Sequence, residues 1–393
     1  MATDKELIDK QARLERIKRA AREQAELDRP APEILIRQAA TIPSEKLQTV
    51  FGGRLVRGAF QLLVGPGEAG KGMCSTDIIA RLSTGHPFPG EGGKYRTPMV
   101  TVVCVTEDSA SRVKARLEAA EADLTKVYFV DGPPSMRGGL IVPSPIAFDA
   151  DAGALLDKIR SVNASSLFLE TTLEHLGDRE GKRSWSTNNE AEVRRALAPI
   201  VQVCREGNII GWGVMHPRKS QDGGIADSIS GSAAFNNVGR TVLQVYKDPE
   251  DDSKSPWRLL ITSKANYLAT KPTTLKFHVE SWSKDRDEGR VVWGTEGHSL
   301  VDPRTAEDIW RQIREKNHKR KDYTTRDAEN MLSELLATGI KTIEEVKATA
   351  EDQDLSWRTV QKAKDNLGVE SVKSGFPAKV TGWRLPPKKK DDM

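Results

Sequence analysis

The sequence predicts an α/β fold with a central, mostly parallel sheet, and three observations carry that prediction. Short β-branched runs, QLLVG, MVTVVCV, KVYFVD, SLFLE and NIIGWGVM, are separated by helix-forming stretches between about residues 45 and 295. Such alternation reads as βαβ units, whose crossovers lay the strands parallel. One of these runs opens into a glycine loop and then a helix. Two others end on acidic residues, at the strand ends where open α/β sheets hold their ligands.

Taken in order, residues 4–28 are rich in Lys, Arg, Glu, Ala and Leu, with Leu7, Leu14, Ile17 and Ala21 near one helical face. Pro30 and Pro32 end the pattern, so 1–34 is expected to be a charged helix and linker. Its apolar stripe is too thin to bury much alone. The core is expected over 35–295. After Arg240 its pattern shifts to TVLQVYKD, WRLLITSK, TLKFHVES and RVVWG, separated by turn-rich stretches such as DPEDDSKSP, which predicts antiparallel strands extending the same sheet. The charged bridge RQIREKNHKRKDY makes 296–321 a linker, and 322–388 a separate small domain.

A chain of 393 residues exceeds one typical domain, and 37% apolar with 30% charged residues is an ordinary globular balance. A net charge of +4 excludes a nucleic-acid coat that binds through bulk charge, so any such contact must use local patches. Cys74, Cys104 and Cys204 lack the spacing of a zinc site or a disulfide framework, and reduced core thiols are expected. No apolar run approaches the roughly 20 residues needed to span a bilayer, and the N-terminal MATDKELIDKQARLERIKRA is charged. A cytoplasmic protein is the reading.

The segment FQLLVGPGEAGKGMCSTDIIARL puts strand, glycine loop and helix in succession, with Gly65, Gly70 and Lys71 at the GxxxxGK spacing of a phosphate-binding P-loop. Small residues let successive backbone N–H groups curl around phosphate oxygens, the helix aims its positive end at them, and Lys71 neutralises charge. Gly65, Pro66, Gly67, Glu68, Ala69, Gly70, Lys71, Gly72 and Met73 are therefore the candidate nucleotide-binding residues, with ATP and Mg2+ as the expected cofactors. The motif normally ends in a Ser or Thr whose hydroxyl ligates magnesium; Gly72 stands there instead, leaving Ser75, Thr76 or water as substitutes.

The run MVTVVCV leads into Thr106, Glu107 and Asp108, and Glu107 is the candidate general base. The other reading is that Glu107 and Asp108 merely cap the next helix, SASRVKARLEAA. SLFLE ends in Glu170, where a Walker B strand would carry a magnesium-holding Asp; Glu170 is a catalytic candidate, and Glu170 and Asp108 are the candidate metal-holding carboxylates. NIIGWGVM ends at His216 and opens a polar loop with Arg218 and Lys219. His216 would sense the γ-phosphate or gate that loop, although a lone His at a strand end is more often a satisfied surface or core residue.

Together these residues resemble the RecA-like AAA ATPases of plasmids and phages, the RepA-type hexameric replicative helicases, over roughly residues 35–295. The resemblance includes IPSEKLQTVFGGRLVRGAFQLLVG, the TED strand end, NNEAEVRRALAPI, the HPRKS loop, the GSAAF helix start and the ITSKAN strand. It implies a RecA-like P-loop core in a homo-oligomeric ring, a hexamer above all, with nucleotide between subunits. Single-stranded DNA would pass the loops Gly177–Glu190 and Pro217–Gly231, where Arg218 and Lys219 lie. It further implies that Lys264, with Arg240 as a second candidate, reaches a neighbour's γ-phosphate. Gly72 and Glu170 depart from the pattern at both magnesium positions, which leaves the rate of hydrolysis open.

At the C-terminus, TIEEVKATAEDQDLSWRTVQKAKDNLGVESVKSGFPAKVTGWRLP looks like a winged helix-turn-helix: helix, polar turn, second helix started by Ser356, and hairpin. Arg358, Lys362 and Lys364 on the second helix and Lys373, Lys379 and Arg384 on the wing are the candidate duplex-DNA contacts. Winged helices also dock proteins. The leading functional expectation is a DNA-dependent ATPase of a plasmid, phage or other mobile element, working as replicative helicase, motor or loader. An ATP-gated DNA-binding adaptor or recombination mediator stands beside it, and a small-molecule kinase is disfavoured because no acceptor pocket or lid is legible.

Overall fold

The computed structural model describes residues 36–137, 140–177, 185–217, 223–229, 233–254, 256–283, 286–294, 299–353, 355–374 and 379–386. The helix expected over 4–28 lies outside them. The chain divides into two compact units between Lys46 and Leu47. The described part of the first carries one 3-10 turn, Ala39–Thr41, closed by the Thr41 hydroxyl on the Gln38 carbonyl at 2.8 Å. The second unit holds the sheet and the candidate site.

In chain order the second unit opens with a small antiparallel pair, β1 (Thr49–Val50) and β2 (Leu55–Val56), followed by β3 (Ala59–Val64) and α1 (Lys71–Thr84). Next come β4 (Thr101–Cys104), α2 (Ala110–Ala119), β5 (Val127–Phe129), a hairpin of β6 (Pro134–Arg137) and β7 (Leu140–Pro143), and α3 (Phe148–Ser161). They lead to β8 (Ser166–Leu169), α4 (Glu190–Glu206), β9 (Ile210–Met215), α5 (Ala233–Val238) and β10 (Thr241–Lys247). The core closes with β11 (Arg258–Ala265), β12 (Thr274–Ser283), β13 (Arg286–Trp293) and β14 (Val301–Asp302).

These strands form one 10-stranded sheet in the order β13-β12-β11-β10-β3-β9-β8-β4-β5, with β14 beside β12. From β10 to β5 the neighbours run parallel, and from β10 to β13 antiparallel. TVLQVYKD was expected to begin the antiparallel extension; it is instead the last parallel strand. The helix α5 between β9 and β10 supplies the crossover a parallel pair requires, and only the turn after Asp248 reverses direction. The β6–β7 hairpin was not expected either, although Gly138-Gly139 between two short runs is a turn signal.

All six residues of β3 are buried. Phe60, Leu62 and Val64 pack with Phe148, Leu155 and Ile159 of α3 and Val193, Leu197 and Ile200 of α4. Leu63, on the other face, packs with Cys74, Ile78 and Leu82 of α1 and Val113 and Leu117 of α2. The period-2 alternation of a strand thus assigns neighbouring residues to two helical layers. The three cysteines are buried and unbridged, and burial raises each thiol, as expected for core thiols. No helix among the described residues is long and apolar enough to cross a membrane.

The charged stretch read as a linker, 296–321, contains the first half of one 32-residue helix, α6 (Ala306–Ala337), capped by Thr305 on the Asp308 amide. Ile309, Trp310 and Ile313 of α6 pack on Ile225, Tyr246, Leu259 and Ile261 of the core. Spaced at i, i+1 and i+4, they form a helical face that the surrounding charge concealed. An ion cluster holds the start of α6: Arg304 meets Asp248 at 2.9 Å and Asp302 at 2.7 Å, and Lys276 meets Asp248 at 2.9 Å. The Asp248 and Asp302 side chains are only 4% and 1% exposed. The second half of α6 carries β15 (Lys341–Thr342), α7 (Ile343–Asp352), α8 (Trp357–Asn366), β16 (Glu370–Ser374) and β17 (Lys379–Arg384). Their sheet order is β15-β17-β16, over a core of Met331, Leu332 and Leu336 with Val346, Val360, Ala363 and Trp383.

Replacing Arg304 by Met should destabilise the second unit by about 3 kcal/mol, because two buried carboxylates are then left to share Lys276 as their counter-charge. Burial raises the Asp302 carboxyl, but the hydrogen bonds and charge of Arg304 outweigh it and hold that carboxyl below its usual range. Its contribution is therefore present at neutral pH and lost as pH falls through the depressed value. Urea unfolding should show a smaller acid-dependent loss in Arg304→Met than in wild type; equal midpoints at neutral pH would refute the assignment.

Candidate nucleotide site

The P-loop leaves β3 at Val64 under tight steric control. The Gly65 amide donates to the Met215 carbonyl of β9 at 3.2 Å, and a Cβ on Gly65 would stand 2.4 Å from the Val245 carbonyl oxygen of β10. Only glycine passes between those strands. Glu68 at φ 59° and Gly70 at φ 96° both lie in the left-handed region, where turns aim successive amides inward. Ala69 is buried against the core, while Gly67, Glu68 and Gly72 face solvent. Lys71 opens α1, is 8% exposed, and donates from Nζ to the Pro66 carbonyl at 2.8 Å. Burial lowers its pKa to about 8, with the Glu107 charge opposing. A loop carbonyl thus holds the ammonium where a phosphate oxygen would compete for it.

The acidic turn after β4 is organised by Glu170, one residue past β8. Its Oε2 accepts the amides of Thr106, Glu107 and Asp108 at 3.1, 3.2 and 3.2 Å. Register explains the reach, since Cys104 of β4 pairs with Leu169 of β8. Asp108 pairs with Arg116 of α2 at 2.6 Å and with Arg112 at 3.7 Å. The cap of α2 is Ser109, which accepts the Arg112 amide at 3.3 Å, so neither acidic residue fills that role. Glu107 is left exposed at the end of β4.

His216 follows Met215, whose carbonyl receives the Gly65 amide, so the end of β9 abuts the P-loop. Burial first and the Lys71 charge second lower its pKa, with Glu107 opposing, so the imidazole is neutral at pH 7. Lys71, Glu107 and His216 therefore share one electrostatic field. For magnesium the protein donors are few. Gly72 has no hydroxyl, the Thr76 hydroxyl donates to the Met73 carbonyl, and the Ser75 hydroxyl is buried without a partner. No group of three or more His, Cys, Asp or Glu among the described residues is arranged to hold a metal. The loop fits the phosphates of a nucleotide, while a cation there would lean on phosphate oxygens and water.

Other candidate residues lie apart from this site. Lys264 donates to the Asn236 and Asn237 carbonyls at the end of α5, and burial first, then the Arg240 and Arg194 charges, lower its pKa. Arg240 lies over the Tyr267 ring at 5.6 Å. Lys264 pairs with Val242, whereas Lys247 and Arg258 pair at the other end of the same ladder. Arg218 and Lys219 fall outside the described residues, as do 178–184, 220–222 and 230–231 of the two expected DNA loops. On α8, Arg358 and Lys362 are exposed, while Lys364 lies over the Trp383 ring at 5.4 Å. Lys373 is exposed, Arg384 pairs with Glu370 at 2.7 Å, and Lys379 stands in β17 with its side chain outside the description.

Three cations near the loop were not anticipated. Arg116 Nη1 lies 3.7 Å from where a Gly72 Cβ would be, and Arg258 Cδ lies 2.9 Å from the Gly70 equivalent. Lys247 Nζ lies 3.9 Å from the Glu68 carboxylate. No motif marks them, because strand register and helix packing bring them to the loop.

The fold and the site define a P-loop nucleotide-binding α/β protein, with β9 inserted between the P-loop strand β3 and the acidic-ended strand β8. The chain belongs to the AAA domain family, whose model matches residues 22–222. Among solved structures it is similar to a KaiC-like protein from the hyperthermophilic archaeon Pyrococcus horikoshii OT3, at 12% identity and a TM-score of 0.41, covering 63% of this chain and 100% of that one. No curated protein matches the chain in sequence.

Lys71→Ala should weaken nucleotide binding by on the order of 100-fold, the scale of a charge-assisted hydrogen bond of ~3 kcal/mol. In wild type, phosphate holds a proton on Lys71 that the free protein begins to lose near pH 8. Affinity should be full below that pH and fall about tenfold per unit above it. Calorimetric titration with ADP checks both, and a pH profile unchanged by Lys71→Ala would exclude this lysine.

Proposed function

We propose that this AAA-family chain is a DNA-associated ATPase of a mobile element, acting as helicase, motor or loader in a ring of like subunits. The observation that carries the ATPase part is that Lys71, His216 and Glu107 follow β3, β9 and β4 at the carboxyl ends of one parallel sheet and act on one another's charge. Lys71 holds the phosphates, Glu107 takes the proton of the attacking water, and neutral His216 stands where the γ-phosphate would be felt. Glu170 positions Glu107 through the backbone rather than acting on the water itself. Magnesium, where bound with the nucleotide, supplies charge neutralisation that the described protein donors do little to share.

The assembly part rests on the resemblance of the ordered motifs to those of RepA-type helicases and on Lys264. That lysine lies at the end of the β10–β11 ladder away from its own P-loop, so a phosphate it served would belong to a neighbouring subunit. The DNA part rests on the terminal module, whose succession of helix, strand, helix, helix and hairpin, with sheet order β15-β17-β16, supports a winged helix-turn-helix. A second reading, an ATP-gated DNA-binding adaptor with little turnover, is favoured by Gly72 and by the engagement of Glu170 with three amides.

Steady-state turnover with and without DNA separates the two. Glu107→Gln should retain nucleotide and slow hydrolysis by roughly 100-fold or more. Glu170→Gln keeps a carbonyl oxygen for the same amides and should slow it much less. The reverse ranking would show the base to be misassigned, and wild-type binding without turnover would support the adaptor.

A further inference from the structure

We infer that Arg358 and Gln361 of α8 are the pair that reads base edges in a duplex, and that Lys362, Lys364 and Arg384 serve elsewhere. The inference rests on the winged-helix reading above. Val360 and Ala363 of α8 are fully buried, and Trp357, Lys364 and Leu367 are half-buried against the module. The opposite face, at i, i+3, i+4 and i+7, is Arg358, Gln361, Lys362 and Asp365, all exposed. Every side chain on that face ends in a hydrogen-bonding group. The exposed large apolar side chain among the module's described residues, Ile340, precedes β15 and lies off α8. A protein-docking face would centre on apolar or aromatic groups, whereas a face of donors and acceptors suits the major groove.

Internal partners thin out the remaining cations. Lys364 is committed to the Trp383 ring, Arg384 to Glu370, and Lys362 leans back to the Thr325 hydroxyl at 3.5 Å. Lys362 is thereby placed beside the helix rather than ahead of it, suited to a phosphate. Asp365 at the C-terminal end of the face repels the phosphate backbone, so the N-terminal end must approach the groove. There Arg358 and Gln361 stand one helical turn apart, about 5–6 Å between Cβ atoms, a spacing that reaches neighbouring base pairs. Arginine pairs two-pronged with guanine and glutamine with adenine.

The test is selection of a randomised duplex pool by the full chain, with ATPase rate and thermal melting as controls for folding. Wild type should enrich a preference at adjoining positions. Gln361→Ala, and Gln361→Ser as a second variant, should lose preference at one of them by about 5- to 150-fold while the salt slope stays unchanged. Lys362→Ala should leave the preference intact and reduce the slope of log affinity against log salt by about 0.9. A Gln361→Ala pool identical to that of wild type overturns the assignment. Duplex binding without any preference overturns it too, yet leaves the DNA reading standing, and failure of wild type to bind any duplex removes both.

Discussion

The closeness of two strands to one glycine governs the site. With Val245 of β10 on one side and Met215 of β9 on the other, the backbone at Gly65 has no room for a side chain. That constraint follows from β3 lying between two strands that are not its neighbours in sequence. Such reversals of strand order leave a crevice at the carboxyl ends, where this loop sits. Burial of β3 on both faces fixes the strand, the strand fixes Gly65, and the left-handed turns at Glu68 and Gly70 then have one way to close onto α1.

The same geometry distributes charge. Lys71 is largely buried, which lowers its pKa, and it is bonded to its own loop, so an arriving phosphate competes for the ammonium. Glu170, by gathering three amides, spends its carboxylate on backbone and leaves Glu107 exposed beside the loop. Two carboxylates a few residues from the same crevice therefore have different chemistry. Arg116 lies near the space that a side chain at position 72 would enter, so a cation stands beside the position that lacks the hydroxyl.

The terminal module is joined to this core by α6, one helix that packs on the core through Ile309 and Trp310 and forms part of the module through Met331 and Leu332. Trp310 Nε1 donates to the Gly223 carbonyl at 3.0 Å, so the same helix also holds the chain at Gly223. The buried cluster of Asp248, Asp302, Lys276 and Arg304 fastens its beginning beside the end of β10. The winged-helix reading thus concerns a module continuous with the ATPase core through a single element.

The sequence by itself determined the α/β class, the P-loop and the acidic strand ends, because each is a local pattern: a β-branched run, a glycine spacing, a carboxylate at a fixed offset. It also marked the departures at Gly72 and Glu170, which are single positions in that pattern. Only the tertiary structure decided that TVLQVYKD is parallel, since direction depends on a crossover and not on the strand's own residues. Only it decided that Asp108 is paired with Arg116, that Lys364 and Arg384 are spent inside the module, and that Arg258 lies against Gly70. Each of those contacts joins residues remote or unmarked in sequence, and their partners are set by register and packing, which no local pattern encodes.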